Sequence, residues 1–273
     1  MSLRAEIEGD WHAALAALCW QYDCGVDEFV VDEPVNRYDL PETLNPPAPA
    51  ARPAARGTTR QPAAPEVPDA PAKVDPVAEA RALAARAPSL AALQAALSQF
   101  EHCEVKKGAR NTVFADGNPE ARVLILGEAP GRDEDIEGRP FVGRAGQLLD
   151  QMFGAIGLTR DAEEASRALY STNVLPWRPP GNRDPEPAEI AMMQPFVERH
   201  ISLANPEVIV ALGNVPLITL TGQGSILKSR GKWMTALNRP LLPMVHPAYL
   251  LRNPAAKREA WADLLTLQAR LRG

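Results

Sequence analysis

Three short segments carry residue types suited to work on a planar, polar ligand. The first is Gly127-Glu128-Ala129-Pro130-Gly131, followed by RDEDIEGRPFVGRAG. Gly127 and Gly131 let backbone approach a ligand closely, and Ala129 and Pro130 lie between them. Glu128, Asp133, Glu134, Asp135 and Glu137 crowd one loop, so a carboxylate there could serve as a general base or polarise a water. Phe141, at the loop's end, could stack on a ring. The second segment is Ser171-Thr172-Asn173 with VLPWRPPGNRDPEP after it. The Asn173 carboxamide both donates and accepts, as a base edge requires. The third is His246-Pro247-Ala248-Tyr249-Leu250-Leu251-Arg252-Asn253. His246 suits oxyanion stabilisation. Each segment alone also fits a plain turn, a solvated acidic loop or a structural histidine.

Their placement separates the two readings. Apolar, β-branched runs at Arg122–Leu126, Ala168–Val174, Val208–Leu212 and Leu241–Val245 read as buried strands. Helical periods fall at 143–156, 187–202 and 254–271, and two shorter helices fall at 77–99, broken at Ala87-Pro88 with Ser89 as a cap. Strand–helix alternation predicts a parallel sheet covered on both faces. Ligands in such sheets sit beyond the carboxyl ends of the strands, and all three segments follow a strand directly. The phosphate-binding fingerprints GxGxxG and Gly-Lys-Ser/Thr are absent from the first loop.

The chain has 273 residues and a formal net charge of −5. Residues 1–85 carry a net −7, whereas residues 217–273 hold nine basic and two acidic residues. Phosphate contacts depend on local charge, so the basic end keeps nucleic acid in play as a partner. Arg178, Arg183, Lys228, Arg230, Lys232, Arg252, Lys257 and Arg258 are candidate phosphate contacts, with SILKSRGKW as a basic loop. No apolar run reaches the roughly 18 residues of a membrane span, and no signal core follows the start. The expectation is a cytoplasmic protein with no membrane partner. Three cysteines (Cys19, Cys24, Cys103) make no disulfide framework. Residues 9–22 read as an amphipathic helix with Trp11, Leu15, Leu18 and Trp20 for burial. Residues 41–77 hold ten prolines and read as a linker. The expected division is a helical extension over 1–40, a Pro/Ala-rich linker over 41–77 and a catalytic domain over 78–273. A protein partner for 1–40 is conceivable, and a monomer is expected otherwise.

GEAPGRDEDIEGRPFVGRAGQLLD, TNVLPWRPPGNRDP and HPAYLLRNP resemble the type-4 uracil-DNA glycosylases of the uracil-DNA glycosylase superfamily. The likeness runs from about Ser89 to the C-terminus. It implies a three-layer α/β/α sandwich around a short central parallel sheet. It also implies hydrolysis of the N-glycosidic bond of deoxyuridine in DNA, by base flipping, leaving an abasic site. Carried over, Phe141 stacks on the extruded uracil, Asn173 bonds its edge and His246 stabilises charge on O2. Glu128 and the amides of 127–131 position water and the uracil carbonyl, and Gly138 to Gly143 touch phosphates. Leu250 and Leu251 form the wedge that enters the base stack.

Two departures stand out. Type-4 enzymes usually hold a four-iron, four-sulfur cluster on four cysteines. Here Phe100, Trp177 and Met193 occupy three of those positions, and only Cys103 remains. Thiolate ligation needs four such ligands or close substitutes, so the expectation is no cluster and an apolar plug in its volume. Cys19 and Cys24 lie across the linker and are poor replacements. The best-known branch places an Asp where this chain has Ala129, so Asp135 or Glu134 are further candidates for the base. The alternatives are a protein that binds or traps uracil or abasic DNA without turnover, and a glycosylase of the same fold that also accepts hypoxanthine or xanthine. The trapping branch carries a basic KRRIH-like run, which is absent here.

Overall fold

The computed structural model describes residues 75–222 and 224–273, together with Leu15. The expected helix at 9–22 and nearly all of the 41–77 linker lie outside these residues; Leu15 itself is exposed. The first element corrects the linker boundary. Helix α1 spans Pro76–Arg86, because Asp75 caps it by accepting from the Val77 and Ala78 amides and proline is well placed in a first turn. Helix α2, Leu90–Gln99, is capped by Ser89 as expected, and α3 is the single turn Val105–Gly108.

Six strands form one sheet. They are β1 (Ala115–Gly117), β2 (Val123–Gly127), β3 (Leu169–Asn173), β4 (Val208–Leu212), β5 (Met234–Ala236) and β6 (Arg239–Met244), in the order β1-β3-β2-β4-β6-β5. The four inner strands are parallel, and they are the four that the apolar runs predicted. The edges β1 and β5 run antiparallel, so the sheet is mixed rather than purely parallel.

Side chains alternate across the inner strands and divide the core in two. Leu124, Leu126, Ile209, Ala211 and Leu241 face one layer; Val123, Ile125, Val208, Val210, Leu242 and Met244 face the other. The first layer is closed by α1, α2, α6 (Pro187–Ala204) and α7 (Asn214–Thr221). The second is closed mainly by α5 (Arg144–Gly154) and α10 (Lys257–Leu271) through Leu149, Phe153, Leu264 and Leu267. This is the three-layer α/β/α arrangement. Short helices follow two of the strands, α4 (Arg132–Glu137) after β2 and α9 (Pro247–Arg252) after β6, and a third, α8 (Ile226–Ser229), precedes β5. The expected helix from Pro254 is a 3-10 turn, Pro254–Ala256, and then α10.

Candidate active site

The carboxyl ends of β2, β3 and β6 open into one cleft of about 330 Å³. Ligand pockets run from about 300 to 1,000 Å³, so this one fits a small ring better than a large cofactor. Gly127 and Asn173 are direct partners across β2 and β3, which brings the first two segments side by side. Glu128, Ala129, Pro130, Gly131, Phe141, Asn173, His246 and Arg252 all line the cleft. The convergence expected from strand order is therefore met in space.

The Phe141 and His246 rings stack 6.0 Å apart, 28° from parallel. Phe141 has φ +56°, a left-handed conformation that costs a non-glycine residue about 1–3 kcal/mol. Gly127 is what makes room beside it. A Cβ there would lie 2.2 Å from Asn173 Oδ1 and 2.6 Å from Phe141 Cζ. Asn173 is 8% exposed, and among the described residues its carboxamide has no hydrogen-bond partner. It is buried, aimed at the cleft and available to a ligand.

His246 caps the short helix α9 by accepting from the Ala248 amide at Nδ1, 3.1 Å away. An amide can only donate, so Nδ1 is the acceptor and Nε2 carries the proton. Burial, aided by the charge of Arg252, lowers its pKa to about 4, so the ring is neutral near pH 7. The cleft thus holds a neutral N–H donor. Burial, followed by the nearby charge of Asp184, pushes Glu128 above the usual carboxylate range. A raised carboxylate on a cleft wall suits a general base.

Glu134 is in the cleft but is already engaged. Its Oε1 accepts from the Val142 and Gly143 amides at 3.1 and 2.9 Å, and its Oε2 accepts from Gly131 at 3.0 Å. It ties the start of the loop to its end. A carboxylate three residues after the helix-capping Gly131 is the sequence signal for such a tie. Gly143, the residue just before α5, is held by that bond to Oε1 and does not itself line the cleft.

Several expected roles do not survive. Asp135 is buried, and its Oδ1 accepts from the Arg110 and Asn111 amides, so it fixes the preceding loop and does not face the cleft. Leu250 is 1% exposed and sits in the core, so it cannot be a wedge; Leu251, at 38%, can. Arg230 is not a free phosphate contact. It pairs with Asp263 at 2.6 Å and with Glu259 at 3.2 Å, anchoring the basic loop to α10. Lys228 and Lys232 of that loop are exposed. Arg178 bonds Asn182 at 2.7 Å on the cleft's outer arm. Arg183 lines the cleft while paired with Glu189 at 2.6 Å. Pro179, Asn182, Ala145 and Ala248 also line it; they lie within the three segments, but nothing in their residue types singles them out.

A sequence model described as the Uracil DNA glycosylase superfamily matches residues 114–265, a span holding every one of these cleft residues. The chain belongs to the uracil-DNA glycosylase superfamily. It is 38% identical over 180 residues to the type-4 uracil-DNA glycosylase of Sulfurisphaera tokodaii, covering 62% of this chain and 79% of that one. It is 40% identical over 154 residues to the type-4 enzyme of Thermotoga maritima, covering 55% and 77%. It is also 33% identical over 135 residues to the type-5 uracil-DNA glycosylase of Thermus thermophilus, covering 46% and 61%.

The cluster of type-4 glycosylases is poorly matched by the residues present. Phe100, Cys103, Trp177 and Met193 are all at most 1% exposed and belong to one packed layer. Phe100 packs edge-on against Phe196 at 5.6 Å, and Trp177 Nε1 donates to Thr112 Oγ1 at 3.0 Å. Burial pushes the Cys103 thiol up, against the thiolate a metal needs. Three apolar side chains and one protonated thiol are not a ligand set for an iron–sulfur cluster.

Proposed function

We propose that this chain is a uracil-DNA glycosylase that takes uracil from DNA by base flipping and leaves an abasic site. One observation carries the reading: an Asn173 carboxamide with no partner among the described residues and a neutral His246 N–H share a cleft floored by Phe141.

The flipped uracil stacks on Phe141. Asn173 donates to O4 and accepts from N3–H, a pairing that cytosine, with its donors and acceptors exchanged, does not offer. The C1′–N1 bond breaks, and its electron pair leaves with the base and spreads towards O2. His246 Nε2–H donates to O2 as that charge grows. Water adds at C1′ and gives its proton to Glu128. The step needs no metal, and Phe100, Trp177 and Met193 form an apolar plug where relatives hold the cluster. Arg178, Arg183, Arg252, Lys228 and Lys232 meet phosphates around the cleft, and Leu251 enters the gap left by the extruded base.

The remaining assignments belong to the same reading. The protein acts as a monomer in the cytoplasm, and residues 1–40 form a docking extension tethered to the catalytic domain. Among the described residues no helix is long and apolar enough to cross a membrane. The test is excision from a labelled uracil-containing oligonucleotide by the full chain. Alkali-labile sites lost in Asn173→Ala and His246→Ala support the reading. Binding without cleavage, or a covalent adduct, turns it to a DNA-binding or trapping protein. Equal excision of hypoxanthine widens the base range.

A further inference from the structure

Arg160 lies between α5 and β3, outside the three motif segments, and does not line the cleft. All five of its N–H donors are used. Nε and one Nη2 proton reach the two oxygens of Asp150, at 2.8 and 2.6 Å. One Nη1 proton reaches Asp116 Oδ2 at 2.7 Å. The remaining two reach main-chain carbonyls: Pro140 at 3.0 Å and Phe141 at 3.0 Å. The side chain is 12% exposed, too enclosed to serve a DNA phosphate.

The two carbonyls flank the strained residue of the site. Phe141 sits at φ +56°, and a peptide in that conformation persists only where its surroundings over-determine it. Arg160 grips it from one side and is itself fixed to β1 through Asp116 and to α5 through Asp150. Gly146 closes the other side: a Cβ there would fall 1.7 Å from the Phe141 carbonyl oxygen. A planar guanidinium with five donors can span two carboxylates and two carbonyls at once; a lysine ammonium with three cannot.

We propose that Arg160 is a positioning residue for base excision: it holds the Phe141 backbone so that the ring stays seated opposite His246 to receive the flipped base. This rests on the reading of Phe141 as the stacking surface. Arg160 touches no substrate; it acts through Phe141 alone.

The experiment is a double-mutant cycle on the full chain, reading single-turnover excision from a uracil-containing single strand and binding to the uracil-free strand. Misplacement of a positioned group by about 1 Å costs on the order of 100-fold, so Arg160→Met is expected to lower the excision rate constant about 30-fold. DNA affinity should move less than about threefold. In a Phe141→Ala background the same change should cost less than about threefold, because there is no ring left to place. A similar loss in both backgrounds makes Arg160 a general scaffold residue and overturns the proposal. An unchanged rate in Phe141→Ala by itself overturns the stacking reading, whatever Arg160 does. Should Arg160→Met fail to fold, Arg160→Lys runs the same cycle with an expected loss of about five- to tenfold; a wild-type rate, or a loss that persists without the Phe141 ring, overturns the proposal.

Discussion

The Ala248 amide donates to Nδ1 of His246 across 3.1 Å, and this one bond decides what the imidazole can do. It fixes the proton on Nε2, and burial, aided by the charge of Arg252, keeps the ring uncharged. A neutral donor can match the charge that develops on a departing base without first binding it as a tight ion pair.

The pH dependence of excision should therefore be set by Glu128 rather than by His246. A base acts when deprotonated, so the rate should rise with pH through the Glu128 ionisation. That ionisation lies above the ordinary carboxylate value of 4.5, because burial and Asp184 both raise it. Single-turnover rates measured from pH 4 to 8 should show one acid limb, lost in Glu128→Gln along with about 100- to 10,000-fold of rate. A limb that survives in Glu128→Gln would assign the base elsewhere.

Stability should also fall in acid, for a different reason. His200 is buried against Tyr170 Oη at 2.9 Å and stacks on Phe114, and burial lowers its pKa to about 4 from an ordinary 6.5. Between those values the unfolded chain binds a proton that the folded chain refuses, so stability is complete above about pH 6.5 and declines as pH falls towards 4. His246 behaves alike. Urea midpoints at pH 7 and pH 4.5 should differ less in His200→Gln than in the parent chain.

The two adjacent leucines should separate cleanly. Leu250→Ala empties a core position and should cost about 2–5 kcal/mol of stability. Leu251→Ala should leave stability within about 0.5 kcal/mol, as at most surface sites. It should slow excision from duplex more than from single strands, where no stack needs filling. Chemical denaturation and paired single- and double-strand assays read both effects, and equal slowing on the two substrates would remove Leu251 from the wedge role.

The purified full chain should be colourless and carry far less than one iron per molecule, because the Phe100, Trp177 and Met193 side chains fill the layer around Cys103. Iron analysis and the visible spectrum decide it. Stoichiometric iron with a brown colour would mean that ligands come from elsewhere in the chain.

How much of this was legible beforehand follows from burial. The inner strands announce themselves because both faces are covered and their residues form unbroken apolar runs; 208–212 is matched at both ends. The edges β1 and β5 do not, since Ala115–Gly117 and Met234–Ala236 are three residues long and partly exposed. Glu128 to Gly131, Asn173 and His246 were legible because they lie at or just past the end of an inner strand. Asp135, Arg230 and Leu250 were not, because in sequence a carboxylate that caps a loop looks like one that faces a ligand. The same holds for an arginine in an ion pair and a leucine turned inward. Arg160 is harder still: its partners lie 10 to 44 positions away, and no local pattern joins them.

The two antiparallel edges bear on how copies of this chain meet. An exposed strand edge is a template on which another chain can extend a sheet. Here the parallel core is bounded on both sides by three-residue strands, and β5 ends in a tight hairpin whose Leu237 and Asn238 are both left-handed. Such borders offer too few consecutive free amides and carbonyls for an incoming strand to register. Among the described residues, the two borders of the sheet therefore give an incoming strand little to pair with.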